Sequence, residues 1–388
     1  MTRRTLATCC ATHTLHDGLS DVSYVLLPLL AQTFGLSLAQ VGLIRSAHRT
    51  AMAAFQIPAG LLAERFGERN LLALGTLAAG CAFVALGYVA GFWAILAVLF
   101  LAGAGSAVQH PLCSTIISRA FPAEGRRAAL GTYNFAGDVG KFAFGGAVSL
   151  LLVAGASWQV PVVGFGVAAI LTAAAVLLLV VDARAHSVST TTSGGGWGIR
   201  DRRGFTALCL IEVLDSSTRT GFMTFIAFLL LAKGLPEHWA VLSVPLVLVG
   251  GMAGKLACGL LAERLGIARM IVLTEVATGG GILAVLALPG FAAFLLLPLL
   301  GVVLQGTSSV LYATIGEYVE PERLPRAFGF FYTIGSVCGI AAPLGYGLLG
   351  NRYGVEASIA VMGVAILLTL PLALVLAKSG AQSKVPSY

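Results

Sequence analysis

The chain has 388 residues, 57% of them hydrophobic and only 11% charged. A soluble domain carries about a quarter charged residues, so a water-soluble globular protein is excluded and lipid is the expected solvent. The net charge of +7 would suit nucleic acid, but the basic residues sit in short segments between apolar stretches, which is the pattern of membrane topology. Apolar stretches of roughly 20 residues, long enough to span a bilayer, follow at 9–32, 40–63, 71–90, 93–117, 128–153 and 158–181. Six more follow at 204–231, 239–262, 270–288, 291–316, 327–349 and 356–377. The expected fold is therefore an all-α membrane protein of twelve transmembrane helices in two six-helix bundles, residues 1–181 and 204–388. A polar linker, 182–203, rich in Ser, Thr and Gly, joins them.

Arg3 and Arg4 precede the first stretch, as in a signal peptide. His13, His16, Asp17 and Asp21 interrupt any apolar core, so the stretch is read as a permanent span. With the N-terminus inside, Arg65, Arg69, Arg119, Arg126, Arg127, Arg200, Arg202, Arg203, Arg264, Arg269, Arg323 and Arg326 are cytoplasmic, while Lys233 and Arg352 lie outside. Both termini are then expected in the cytoplasm of a cell whose inner membrane holds the protein. The seven cysteines lie in or beside apolar spans without Cys-x-x-Cys spacing. They read as small buried hydrophobes, with no metal site and no cofactor.

The halves repeat. Gly60-Leu61-Leu62-Ala63-Glu64-Arg65-Phe66-Gly67-Glu68-Arg69 returns, 199 positions later, as Gly259-Leu260-Leu261-Ala262-Glu263-Arg264-Leu265-Gly266, with Arg269 closing the copy. Gly131-Thr132-Tyr133 then Gly137 parallels Gly329-Phe330-Phe331 then Gly335. Six spans restore the starting side, so the repeats are parallel, as in transporters whose halves move about a central site. Each decamer is a candidate cytoplasmic gate: Gly60, Glu64, Arg65, Gly67 and Arg69 in one half, Gly259, Glu263, Arg264 and Gly266 in the other. The glycines permit the tight turn, and a carboxylate such as Glu64 is favoured near a helix N-terminus or a facing base.

On these residues the chain resembles the major facilitator superfamily, whose loop between helices two and three reads Gly-x-Leu-Ala-Asp-Arg-x-Gly-Arg-Arg. A narrower resemblance is to fosmidomycin-resistance-type drug exporters. It rests on His13-Thr14-Leu15-His16-Asp17 with Leu27-Pro28-Leu29-Leu30, on Gly103-Ala104-Gly105-Ser106 with His110-Pro111, and on Gly137-Asp138-Val139-Gly140. The chain departs from that group at Asp21, Arg45, Arg49, Asp138 and Lys141, which leaves the substrate open.

Asp17, Asp21, Arg45, Arg49, Asp138, Lys141, Glu212, Asp215, Arg219, Lys255 and Glu275 all fall inside spans. Each costs about 2.5–3.5 kcal/mol at a helix centre, so they must face protein or water. His13, Asp17 and Asp21 share a face of the first helix, Arg45 and Arg49 of the second, Asn134, Asp138 and Lys141 of the fifth, and Glu212, Asp215 and Arg219 of the seventh. Two readings stand: pairs such as Asp138–Lys141 and Asp215–Arg219 neutralise each other along their helices, or the charges bind substrate and protons. On the second, Asp17, Asp21, Asp138 and Asp215 are candidates for proton coupling, because a carboxylate in a poorly hydrated cavity picks up and releases protons readily. Candidates for substrate contact are His13, Arg45, Arg49, Gln109, His110, Asn134, Lys141, Arg219 and Tyr312, with arginine offering a planar fork to carboxylate or phosphonate. Glu275 and Lys255 read as structural or gating, and Tyr133 and Tyr332 as packing.

His110 precedes Pro111 in mid-span, where a kink is expected; a merely satisfied histidine and a substrate or proton contact are equally open there. No Walker-type loop is present, so the expectation is a non-enzymatic secondary transporter working by alternating access. By the narrower resemblance it is a proton-coupled exporter (an antiporter) of a small anionic or amphipathic compound or drug, acting as a monomer. Two alternatives are a proton-coupled importer of an organic anion and a non-transporting membrane sensor. Its partners are the small-molecule substrate, protons and the lipid bilayer, without nucleic acid.

Overall fold

The computed structural model describes residues 2–121, 123–180, 198–320 and 324–382. These form helices α1 (Thr2–Phe34), α2 (Leu38–Phe66), α3 (Glu68–Leu86), α4 (Phe92–Ser106), α5 (Gln109–Ala120), α6 (Ala123–Val153) and α7 (Gln159–Leu179). They continue as α8 (Arg202–Ala232), α9 (Glu237–Leu265), α10 (Ile267–Ala287), α11 (Gly290–Tyr318), α12 (Leu324–Tyr353), α13 (Val355–Ala365) and α14 (Thr369–Gln382). The chain divides into two compact units, Met1–Ser189 and Thr190–Tyr388.

Two rods are interrupted for a covalent reason. α4 stops at Ser106 and α5 begins at Gln109. Pro111 has no N–H to offer the carbonyl of Ala107, so the ladder opens there. α13 and α14 are joined by a 3₁₀ turn, Ile366–Leu368, and Pro371 leaves the Leu367 carbonyl without its usual helical donor. Counting each interrupted pair as one rod gives twelve rods among the described residues.

Nine of these rods are long and apolar enough to cross a membrane. The remaining three, α1, α2 and α8, have 33, 29 and 31 residues. At 1.5 Å per residue each exceeds a hydrocarbon core of about 30 Å. They carry most of the buried charges, Asp17, Arg45, Glu212 and Asp215.

Local signals set the ends. α2 starts in a capping box: Gln40 N–H donates to Ser37 Oγ at 3.3 Å, and Ser37 N–H donates to Gln40 Oε1 at 2.9 Å. α8 starts on Asp201, whose carboxylate accepts from Arg203 and Gly204 N–H. The expected linker thus ends earlier than 203, because Arg202 and Arg203 are already helical. Just before them, Ile199 pairs with Val319 in an antiparallel bridge, and Arg200 N–H donates to the Tyr318 carbonyl at 2.9 Å. Residues 181–197 lie outside the described chain.

The internal repeat is written into the backbone. Gly67 closes α2 at φ 81°, ψ 145°, and Gly266 closes α9 at φ 84°, ψ 148°. Both are in a region that a Cβ disfavours. Gly103 meets the His48 carbonyl where α4 crosses α2, and Gly301 meets the Val247 carbonyl where α11 crosses α9. Gly137 faces His13 and Asp17 across the α1–α6 crossing, and Gly335 faces Glu212 and Ser216 across the α8–α12 crossing. Small residues let helix backbones touch in a bilayer, where lipid supplies no hydrophobic drive between helices.

Candidate functional site

In the first unit α1, α5 and α6 bring three titratable groups, His13, His110 and Lys141, to one carboxylate. Gly137 and Gly140 admit α6 against α1, with Gly140 set on the Thr14 carbonyl, and Thr14 Oγ1 donates to the Ala136 carbonyl at 2.8 Å. Asp17 therefore looks onto α6. Its Oδ2 lies 3.2 Å from His13 Nε2 and 3.1 Å from Lys141 Nζ; its Oδ1 lies 3.4 Å from His110 Nε2. Lys141 Nζ also donates to Asp138 Oδ1 at 3.1 Å. Asp17 and His13 are buried, while the His110 side chain is 41% exposed at the kink that opens α5. The site has a buried floor and a half-buried rim of His110, Lys141 and Asp138. Charged groups at membrane depth line water or protein in preference to lipid.

His13 is held rigidly. Its Nδ1 lies 2.7 Å from the Tyr133 carbonyl, and its ring stacks on the Tyr133 ring at 4.0 Å. The Tyr133 hydroxyl accepts from Gln109 Nε2 at 2.6 Å. Tyr133, expected only to pack, is thus the anchor of the cluster. Gln109 acts through that tyrosine. Asn134 is exposed on α6 and makes none of these contacts, although its spacing had grouped it with Asp138 and Lys141.

Linear spacing held no metal-ligand pattern, yet ligand atoms of His13, Asp17 and His110 all lie within 4.8 Å of one another. The Lys141 ammonium already supplies positive charge to the same carboxylate, which removes the electrostatic need for a metal ion.

A second cluster sits one turn further along α1. Arg45 of α2 is 1% exposed. It donates to the Ser20 carbonyl at 3.0 Å and Ser23 Oγ at 2.6 Å, stands 3.8 Å from Asp21 Oδ1, and lies 3.6 Å above the Tyr24 ring. Arg45 and Asp21 thus serve each other. Arg49, one turn on, is half-buried, and its Nε has no hydrogen-bond partner among the described residues. His16 is satisfied: Nε2–H donates to Thr76 Oγ1 at 2.9 Å, whose own proton goes to the Leu72 carbonyl, and Nδ1 accepts from Ser106 at 3.1 Å.

In the second unit Asp215 pairs with Arg219 at 3.4 Å along α8. Glu212 and Glu275 are fully buried, and none of their carboxyl oxygens has a hydrogen-bond partner among the described residues. Tyr312 packs on Phe331 and Tyr332, with ring centroids at 5.5 and 5.0 Å.

Of the decamers, Arg65 and Arg264 are exposed, and Arg69 Nε donates to Asn70 Oδ1 at 3.3 Å. The Glu64 and Glu263 side chains, and Gly60 and Gly259, lie outside the residues described in that detail. The acid seen bonded at this end is Glu68, at the start of α3, which accepts from Arg119 of α5. Sequence reading passed over Glu68 because Ile267 follows Gly266 in the second copy, so the repeat did not mark it.

Apolar rods in two like halves, with charges gathered at mid-span, define a membrane transporter. Residues 10–310 match the Major Facilitator Superfamily, and the chain belongs to that superfamily. It is similar to the probable sulfoacetate transporter SauU of Cupriavidus necator, 26% identical over 84% of this chain and 82% of that protein. It is also similar to the 4-hydroxybenzoate transporter PcaK of Pseudomonas putida, 24% identical over 90% of this chain and 84% of that one. These named relatives are organic-anion transporters and not fosmidomycin-type exporters, so the narrower resemblance is corrected at this point. Its matching residues, His13, Asp17, His110 and Gly137, turn out to build the cluster around Asp17. Among solved structures, a bacterial homologue of the human lysosomal transporter Spinster superposes with a TM-score of 0.82 at 17% identity, covering 100% of this chain and 99% of that one. The nucleoside transporter NupG gives 0.77 at 14% identity, over 98% of this chain and 100% of that one. At such identities the likeness is one of fold.

Proposed function

We propose that the protein is a proton-linked importer of a small organic monoanion, working by alternating access in a bacterial inner membrane with both termini cytoplasmic. The observation that carries the reading is Arg49. The other mid-span cations of the first unit are engaged: Arg45 by Ser20, Ser23 and Asp21, and Lys141 by Asp17 and Asp138. Arg49 is the one of the three for which no hydrogen bond or ion pair is seen among the described residues, its buried Nε included; Arg45 also keeps Nε and Nη2 without hydrogen-bond partners but is held through Nη1 and beside Asp21. Arginine offers a fork that fits a carboxylate or sulfonate, and the relatives' named substrates carry such groups.

Charge balance favours co-transport over exchange. The mid-span charges of the first unit are Asp17, Asp21 and Asp138 against Arg45, Arg49 and Lys141. This set is neutral when empty and neutral again with one proton and one monoanion bound. Either ligand alone leaves a net charge at membrane depth, which is costly. The importer reading therefore replaces the expected antiport.

The test is uptake of labelled 4-hydroxybenzoate, a monoanion, into proteoliposomes with an acid exterior. Accumulation that collapses when the pH gradient is dissipated supports the reading. Arg49→Gln should raise KM by about 10–100-fold, the loss of a charged hydrogen bond worth about 1.5–3 kcal/mol. Accumulation independent of the pH gradient, or an unchanged KM in Arg49→Gln, refutes it.

A further inference from the structure

We propose that Glu212, on α8 of the second unit, is the carboxyl group that takes up and releases the coupling proton. This rests on the proton-linked reading above and names the group that serves it.

The second unit buries more acid than base. Glu212 of α8 and Glu275 of α10 are 0% exposed, and Asp215 of α8 is 1% exposed. The bases within the same spans are Arg219 of α8 and Lys255 of α9. Three carboxylates against two cations leave one negative charge, which is costly at membrane depth, so a neutral set holds at least one proton. The sum fits a proton on any of the three acids; the contacts do not. Asp215 lies 3.4 Å from Arg219. Glu212 and Glu275 have no hydrogen-bond partner on any of their four carboxyl oxygens among the described residues. A buried carboxylate without donors is strongly disfavoured, so the neutral acid is the form that fits both seats.

Neither acid serves the fold. Ser216, one turn on from Glu212, donates to the Gly335 carbonyl at 3.4 Å, and Thr274, beside Glu275, donates to the Met270 carbonyl at 3.0 Å. A carboxylic acid kept for structure would donate its O–H in the same way. Glu212 and Glu275 donate to nothing and accept from nothing among the described residues. An ionisable side chain inside the membrane that makes no bond is functional by default.

Room separates the two. A Cβ built on Gly335 of α12 would meet, among the described residues, only Glu212 Oε1 at 3.1 Å and Ser216 Oγ at 3.7 Å. The absent side chain leaves space in which the Glu212 carboxyl can turn. Gly279 lies one turn from Glu275 on α10, and a Cβ there would stand 2.7 Å from Leu367, 2.9 Å from the Gly363 carbonyl and 3.0 Å from Ile366. That face is closed by α13 and the turn after it.

Glu212 also has donors to meet once ionised. Arg219 shares its helix face two turns on, and Tyr312 of α11 feels Glu212 more strongly than any other charged group. The other titratable groups around it are Cys209 and Asp215 of α8, Glu275 of α10, and Tyr332 and Cys338 of α12. Helices α13 and α14 carry only Glu356 and Lys378, near their far ends. Loading is one proton transfer: an O–H bond of a hydronium ion breaks as one forms on Glu212, leaving water, and release is the reverse. One proton in the second unit and one monoanion in the first leave the total charge of the chain unchanged.

Two measurements on the purified full-length protein decide it. In the infrared, wild type at neutral pH should show a protonated-carboxyl C=O band that shifts in heavy water and is lost in Glu212→Gln, a variant of the same size. A spectrum unchanged by Glu212→Gln overturns the proposal whether or not 4-hydroxybenzoate is a substrate, so this outcome is separate from failure of the transport reading. In proteoliposomes, Glu212→Gln should lower pH-driven accumulation of 4-hydroxybenzoate about tenfold or more beyond its effect on exchange of internal for external 4-hydroxybenzoate. Glu212→Asp, which still titrates, should recover part of that accumulation. Equal losses or none in Glu212→Gln, or an aspartate no better than glutamine, overturn the proposal. Glu275→Gln, in the closed seat, should accumulate to within about twofold of wild type; a loss matching that of Glu212→Gln overturns the assignment to Glu212.

Discussion

Gly137→Ala is the sharpest test of how the site is built. A Cβ at this position would lie 2.5 Å from His13 Nε2 and 2.7 Å from Asp17 Oδ2, where ordinary contact begins at 3.4 Å. His13 cannot swing aside, because Tyr133 holds it by hydrogen bond and ring stack. Asp17 is tied to Lys141 and His110. The methyl group must therefore part α1 from α6 or break the His13–Asp17 approach. Overpacking of this kind costs about 1–3 kcal/mol, against roughly 1 kcal/mol regained from glycine's poor helix propensity. A net loss of up to about 2 kcal/mol follows from those two figures. Gly146→Ala on the same helix is the control, since nothing lies within 4 Å of its Cβ. It should gain about 0.5–1 kcal/mol from propensity. Thermal melts in detergent, with pH-driven uptake on the same preparations, measure both. If Gly137→Ala melts with Gly146→Ala and still accumulates substrate, the close seat of the His13–Asp17 pair is wrong.

Arg45→Gln should destabilise by about 3–5 kcal/mol, because it breaks a buried charge from its partner, whereas Arg49→Gln should leave the melting temperature unchanged; matching melts would undo the division into structural and ligand-facing arginines. Tyr133→Phe should cost about 1–3 kcal/mol by orphaning Gln109, with uptake kept, since His13 uses the backbone carbonyl; loss of pH-driven accumulation in a stable protein would contradict this. Glu68→Gln should cost under about 1 kcal/mol, its arginine partner being more than a third exposed, as a melt will show. Uptake of a monoanion should follow the pH gradient and ignore an imposed membrane potential, a prediction that fails if a potassium diffusion potential alone drives accumulation.

The number of rods, the two halves and the break before Pro111 were legible, because bilayer thickness and proline covalency act on the local sequence. The spacing of His13, Asp17 and Asp21 correctly marked a polar face of α1. What could not be read was partnership across helices. Asp17 and Asp21 looked alike as proton groups, yet one gathers His13, His110 and Lys141 while the other answers Arg45. Arg45 and Arg49 looked alike as anion contacts, and only one is spoken for. Such choices depend on the rotation of each helix about its axis, which is set by glycine contacts such as Gly140 on Thr14 and Gly103 on His48. Tyr133 escaped notice because its backbone carbonyl, not its hydroxyl, does the holding.

The glycine seat occurs twice. Gly137 faces His13 and Asp17, and Gly335, at the matching point of the other half, faces Glu212 and Ser216. The notch is common inheritance from the duplicated ancestor; its occupants have since diverged into an imidazole and a carboxyl group. The protein thus carries two alleles, in effect, of one pocket on one chain. Exchanging positions 13 and 17 with 212 and 216 is a four-residue graft that leaves both helix crossings alone, and it allows the ancestral pairing to be reconstructed inside a living descendant.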